Sequence, residues 1–376
     1  MTHDGATSPP LPVGERSPAL FARAGEGGQN YRDVCSPSPH PSPQRGDGGG
    51  RVRGQSACQI LCSITVLAAL LLAPGARAAD NVIAGAVSST SANQWPFYIA
   101  LKKGFFTAEG LNVDSVFIPS NAGVVQQLAA GSINVAATAG LVDPIRAIEK
   151  GAPIGIVRIE MQAPPYALLA KRDIKDIKAL KGKTIIVGGA KDITRLFTDR
   201  MLQAHGLKTG DFDYVFAGAT NARFSALQSG GVDAALLTAP FSFYAESGGF
   251  NNLGFTFDYL SDMPFACMAM NRSWAAANPD AARRFLVATG KTIAWFYDQR
   301  NRAEAVQILA EVSRTKVEDA DKTYDFLGGK KLFEQTGKVS KAKIAKVVDA
   351  LRELGDVPAD FPVDRLFLPG VTQVID

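Results

Sequence analysis

The sequence predicts an α/β protein made of two similar lobes in one chain. Three observations carry this. Short apolar runs alternate with amphipathic stretches, as parallel strands and their covering helices do. The series restarts near Thr184, and Leu128-Ala-Ala-Gly131-Ser-Ile-Asn134-Val matches Leu227-Gln-Ser-Gly230-Gly-Val-Asp233-Ala at an offset of 99 residues. After Met270 the alternation gives way to helical periodicity.

Val82–Val87 reads as the first strand, followed by a Ser/Thr/Asn loop over 88–93. Trp95–Lys103 reads as a helix with Pro96 in its first turn and Gly104 past its end. Val113–Ile118 is a strand, Ala122–Ala130 a helix stopped by Gly131, and Asn134–Thr138 a strand. Leu141–Lys150 is a helix and Ile154–Met161 a strand. In the second series Thr184–Val187 is a strand, and Asp192 caps a helix running to His205. Asp213–Phe216 is a strand, Asn221–Ser229 a helix and Val232–Thr238 a strand. Tyr166–Lys171 and Pro264–Met270 are strand-like runs on either side of the second series, which makes them candidate crossings between lobes. Asn278-Pro279 opens a long helix through Tyr297, and Arg302–Val312 and Ser340–Leu354 are further amphipathic helices.

The first 79 residues read differently. Residues 1–50 hold eight Pro and nine Gly, and Ser36–Pro43 is a Pro-Ser repeat, so this stretch is expected to be a disordered tail or an over-extended gene start. Residues 51–79 have the form of a secretory signal. Arg51 and Arg53 precede an apolar run over Ile60–Ala73, and Ala76-Arg77-Ala78 is a small-x-small cleavage pattern. The run is shorter than the roughly 20 residues of a membrane span. The expected organisation is residues 80–168 and 266–376 as lobe 1 with a helical tail, and residues 169–265 as lobe 2. The expected location is the periplasm.

Composition excludes several chemistries. Of 40 Lys/Arg and 36 Asp/Glu, the first 79 residues carry 7 and 5, which leaves 33 against 31, a net charge of +2. That is no footprint for nucleic acid. Beyond residue 79 stand one cysteine, Cys267, and one histidine, His205. An internal disulfide and a His/Cys metal site are therefore out of reach, and no cofactor is expected. His205 sits before Gly206 at an expected helix end, where a solvated histidine is ordinary. No catalytic constellation remains, so no enzymatic activity is expected.

In open parallel sheets, ligands bind where strand ends lead into helix N-termini. The loops at those positions are rich in Ser, Thr, Asn and Gly: residues 88–93 with Ser89 and Thr90, then 119–121, 138–140, 188–192, 218–221 and 238–240. They suit a small polar or anionic solute, although each such residue serves equally well as a helix cap. Trp95 and Phe241 follow such loops and either line a cleft or pack in the core. Arg195 and Arg223 lie one turn into helices and read as surface or scaffold residues more readily than as anion contacts. Gly188-Gly189 belongs to no phosphate-loop motif.

Trp95-Pro-Phe-Tyr-Ile-Ala-Leu-Lys-Lys-Gly104-Phe-Phe-Thr-Ala-Glu-Gly110-Leu-Asn-Val113 resembles the first helix of the sulfonate/nitrate/taurine-type substrate-binding proteins, a grouping that includes the NMT1/THI5-like proteins. Gln127–Val135, Leu180–Gly188 and Ala226–Ala234 match further hallmarks of the grouping. The resemblance is clear over residues 82–300. It implies a type II periplasmic binding fold, with two lobes joined by a two-strand hinge and a ligand cleft between them. It also implies a monomeric solute receptor that delivers its ligand to the permease of an ABC importer. Carried over by position, the ligand shell draws on Thr90, Trp95, Asn121, Thr138, Asp192, Thr194, Asn221 and Thr238. Asp192 stands where relatives commonly have small or hydroxyl residues. A carboxylate there repels an anion unless it caps its own helix or pairs with Lys191 or Arg195. A neutral or partly cationic heteroaromatic against Trp95 is the alternative ligand. A pyrimidine-synthase-like enzyme of the same fold and a periplasmic solute sensor are the alternative functions; the synthases rely on a histidine and a cysteine-rich segment.

Overall fold

The computed structural model describes residues 79–87 and 91–376. The expected leader segments 1–50 and 51–79, residue 79 excepted, and the expected contacts Ser89 and Thr90, lie outside the described residues.

Strand β1 (Asp80–Ala86) leads through a 3-10 turn (Ala92–Gln94) into helix α1 (Trp95–Lys102) and the short α2 (Phe105–Ala108). Then come β2 (Leu111–Phe117), α3 (Asn121–Ala129), β3 (Val135–Gly140), α4 (Val142–Glu149) and β4 (Ile154–Met161). The second series runs β5 (Tyr166–Ala170), β6 (Thr184–Val187), α5 (Ile193–Ala204), β7 (Asp213–Phe216), α6 (Thr220–Gln228), β8 (Ala234–Thr238), α7 (Phe241–Ser247) and β9 (Asn251–Phe255). Strand β10 (Ala266–Asn271) opens the tail, α8 (Arg272–Ala277), α9 (Pro279–Tyr297), α10 (Arg302–Ser313) and α11 (Val317–Gly329). The small strand β11 (Lys338–Ser340), helix α12 (Lys341–Glu353) and strand β12 (Gln373–Ile375) complete it.

Two five-stranded sheets have the same layout, β2-β1-β3-β10-β4 and β7-β6-β8-β5-β9. In each, the first three strands are parallel and the fourth is antiparallel to both neighbours. Strands β3, β4, β5, β8 and β10 are buried along their whole length, which is why they read as apolar runs, broken in the edge strand β4 by the buried Arg158 and Glu160.

The repeat at 99 residues has a physical cause. Asn134 Oδ1 accepts a hydrogen bond from the Ile83 amide at 2.8 Å, and Asp233 Oδ2 accepts one from the Thr184 amide at 2.9 Å. Each residue stands just before the central strand of its sheet, β3 or β8, and ties it to the neighbouring parallel strand, β1 or β6. The repeat also reaches the edge strands, as Asp114-Ser-Val-Phe117 in β2 and Asp213-Tyr-Val-Phe216 in β7.

Two expectations are corrected. Tyr166–Ala170 lies wholly in the second sheet, paired with β8 from its first residue, and Ala266–Asn271 lies wholly in the first. The chain crosses between lobes just outside these strands, over residues 162–165 and 256–265, so the sheet of lobe 2 begins three residues before the expected 169. The tail also contains α11, absent from the sequence reading. Its inward side chains are spaced among Gly, Asp and Lys, and its Tyr324 closes the aromatic core over α1.

Candidate functional site

The two lobes meet along a cleft with about 450 Å³ of atom-free space, part of it open to solvent. Its walls are the carboxyl ends of β1, β2, β3, β6, β7 and β8 with the loops that follow them, and the start of β5. From lobe 1 come Ser91, Asn93, Gln94, Asn121 and Thr138. From lobe 2 come Tyr166, Asp192, Thr194, Thr220, Arg223 and Thr238.

The structure holds the lobes together across this cleft. Asn121 Nδ2 donates to Asp192 Oδ2 at 3.1 Å. The hydroxyls of Ser91 and Thr238 lie 2.9 Å apart, and the Ala92 amide donates to the Ala239 carbonyl at 3.1 Å. At the rim, Arg146 of α4 donates to the Lys191 carbonyl and pairs with Asp356, which also pairs with Lys191 at 3.4 Å. Gly218 meets the other lobe so closely that a Cβ there would stand 2.6 Å from the Pro119 carbonyl oxygen. This is a closed arrangement.

Asp192 solves its own electrostatic problem by capping. Oδ1 accepts from the Thr194 amide at 2.8 Å and from Thr194 Oγ1 at 2.5 Å. Thr194 Oγ1 in turn accepts from the Gly188 amide at 2.7 Å. An added Cβ at Gly188 would fall 2.6 Å from Asp192 Oδ1, so the close turn needs glycine there. The alternative pairings do not form: Lys191 reaches Asp356, and Arg195 lies along Asp199 at 3.5 Å.

Arg223 is the principal finding at the site. The residue is 2% exposed, so it is no surface arginine. Nε donates to the Leu236 carbonyl at 2.7 Å, and Nη1 donates to the carbonyls of Ala217 at 2.9 Å and Gly218 at 2.7 Å. It forms no salt bridge with any described residue. The Tyr166 ring lies 6.0 Å from its guanidinium carbon. Burial pulls the guanidinium pKa down, and the nearby Tyr166 and Asp192 partly restore it. Burial pushes the Tyr166 phenol up, so it stays a neutral O–H donor. A cation therefore stands in the cleft wall with carbonyl oxygens fixing it and no carboxylate in ion-pair contact, Asp192 acting on it only through space.

A second titrating group lies beside the cleft. Asp143, in the first turn of α4, is pushed up to about 7 by burial, then by Asp192 facing it, against the pull of Arg146 at 3.8 Å.

Of the expected residues, Asn121, Thr138, Asp192, Thr194 and Thr238 line the cleft. Trp95 does not. It is 1% exposed, packed edge-on against Phe296 at 5.1 Å and Tyr324 at 5.9 Å, with Nε1 donating to the Ala305 carbonyl at 3.1 Å. The tail helices α9, α10 and α11 claim it, so no heteroaromatic can stack on it from the cleft. Phe241 is likewise packed, against Phe224 at 5.8 Å. Asn221 is exposed because α6 begins one residue earlier than expected, which puts Thr220 in the wall instead. The offset of 99 already pointed there, since Asn121 corresponds to residue 220. No comparable signal marked Gln94 or Tyr166. His205 ends α5 and lies 2.7 Å from the Tyr259 hydroxyl, and Cys267 is a buried thiol pushed up by desolvation. Neither lines the cleft. Among the described residues no cluster of His, Cys, Asp or Glu could hold a metal, and no helix is long and apolar enough to cross a membrane.

The family described as NMT1/THI5 like matches residues 91–303. No curated protein matches the sequence. Solved structures share the fold. A Bordetella bronchiseptica RB50 protein is 21% identical with a TM-score of 0.64, covering 79% of this chain and 94% of its own. The alkanesulfonate-binding protein SsuA from Xanthomonas axonopodis pv. citri, bound to MOPS, is 18% identical with a TM-score of 0.63 and coverage of 78% and 98%. The periplasmic nitrate-binding protein NrtA from Synechocystis PCC 6803 is 18% identical with a TM-score of 0.61 and coverage of 75% and 83%. The two-lobed architecture is that of the periplasmic binding proteins.

Proposed function

The chain belongs to the NMT1/THI5-like family, and from that membership we propose that it is the solute-binding component of an ABC importer. It captures a small acid between its lobes in the periplasm and presents the closed form to a permease. The observation that carries the reading is Arg223, a buried cation in the cleft wall with no carboxylate partner. An acidic ligand supplies the missing charge, and the hydroxyls of Ser91, Thr138, Thr220 and Thr238 supply neutral hydrogen bonds around it. The structures bound to or named for sulfonate and nitrate support an anion. Asp192 keeps its charge, but capping α5 and holding Asn121 occupy its oxygens, and Arg223 stands in the same wall to receive the acid. A binding role also fits the positions of His205 and Cys267, both away from the cleft.

The test is a thermal-shift screen of small sulfonates, carboxylates, pyrimidines and aromatic acids on the purified chain, with mass spectrometry of any ligand released on denaturation. Binding to the folded state alone raises Tm with ligand concentration. Stabilisation by acids, reduced in Arg223→Lys, supports the reading. A broad acid panel that leaves Tm unmoved counts against it.

A further inference from the structure

We infer that the ligand of this cleft carries two recognition groups, an acidic head for Arg223 and a hydrogen-bond donor, an amine or amide N–H, for Gln94. The inference rests on the reading of the cleft as the solute site and names the ligand class that the lining selects.

Gln94 closes the 3-10 turn ahead of α1. It is 4% exposed and lines the cleft, and its Oε1 is buried with no hydrogen-bond partner. Buried acceptors in native proteins are nearly always paired, so one left open in a binding wall marks a place for a donor. The charged residues of the lining agree. They are Arg223 and Asp192, one of each sign, among neutral groups. The Asp192 carboxylate accepts three hydrogen bonds, from Thr194 N, Thr194 Oγ1 and Asn121 Nδ2, whereas two carboxylate oxygens offer about four acceptor sites.

A bare acid has only acceptors at neutral pH. It would satisfy Arg223, leave Gln94 Oε1 unpaired, and turn no favourable group toward Asp192. An acid bearing an amine or amide satisfies both ends. Gln94 belongs to lobe 1 and Arg223 to lobe 2, so such a molecule bridges the lobes and both of its groups count toward closure. A site built around an open acceptor discriminates strongly against the analogue that lacks the donor.

The experiment is isothermal titration of the full chain with straight-chain sulfonates and carboxylates of two to six carbons, each with and without a terminal amino group. The expected result is at least tenfold tighter binding of the amino-bearing member of the best pair. In Gln94→Leu the preference falls to within about twofold, and Tm without ligand is held or raised because an unpaired acceptor has gone. A merely structural Gln94 would not move that ratio. Equal binding of both members, or a preference unchanged in Gln94→Leu as when a water fills the position, overturns the inference and leaves the proposed function standing. No binding by any acid in either protein overturns both.

Discussion

Asn121 Nδ2 donates to Asp192 Oδ2 at 3.1 Å, and this one bond joins the helix start of one lobe to the helix cap of the other. Both ends are fixed by local structure. Asn121 Oδ1 accepts from the Gly140 amide at 3.0 Å, and Asp192 Oδ1 caps α5. The bond therefore costs little ordering to make when the lobes close, and its worth goes into the closed state. Asn121→Ala should weaken binding of the best acid by about five- to tenfold, on the order of 1 kcal/mol for a net hydrogen bond. Titration calorimetry measures the loss. Small-angle scattering of the variant without ligand should report a more open average shape, and an unchanged affinity would show that the bond does not govern closure.

Gly218 gives a cleaner separation of closure from folding. Its backbone is compatible with any residue, yet a Cβ there would fall 2.6 Å from the Pro119 carbonyl of the opposite lobe. Opening of the lobes would carry that neighbour away. Gly218→Ala should leave the ligand-free Tm nearly unchanged, within the ~0.5 kcal/mol typical of a tolerated surface change. It should lower affinity for the same acid at least tenfold, because the clash exists only with the lobes shut. A variant that binds normally would mean that the loop shifts aside without cost.

The two-lobed plan was legible because it rests on local signals. Buried parallel strands announce themselves as apolar runs, and the twin positions Asn134 and Asp233 do the same hydrogen-bonding task in each lobe. Half of the expected site residues line the cleft because strand ends and helix caps are also local. The rest depended on tertiary packing. Trp95 has the same sequence surroundings whether it faces a ligand or the tail, and only the placement of Phe296 and Tyr324 decides. Arg223 looked like any helix arginine until the carbonyls of residues 217, 218 and 236 converged on it.

The Trp95 position makes its own prediction. As a buried anchor between α1 and the tail, it should be costly to truncate. Trp95→Ala should destabilise the ligand-free protein by about 3–5 kcal/mol, the range for a large aromatic removed from a core. The Ala305 carbonyl would lose its donor as well. Chemical denaturation measures this. Trp95→Phe should recover most of the packing and bind the same acid with wild-type affinity, which a ligand-stacking tryptophan would not allow.

Asp143 should make stability depend on pH near neutrality. Its carboxyl sits at about 7 in the folded protein against 3.8 ordinarily, through burial first and the facing Asp192 second, with Arg146 opposing. The folded state therefore holds a proton between about pH 4 and 7 that the unfolded state releases. Stability falls as pH rises through that window, is unaffected by this group below it, and levels off above about 7 once both states are ionised. Asp143→Asn removes the proton linkage while keeping the shape. The variant should be more stable than wild type at pH 8, with the difference shrinking toward pH 4. Thermal denaturation of both proteins across that range reads the sign directly. A wild-type Tm rising from pH 5 to 7 relative to the variant would mean that the Arg146 ion pair outweighs burial.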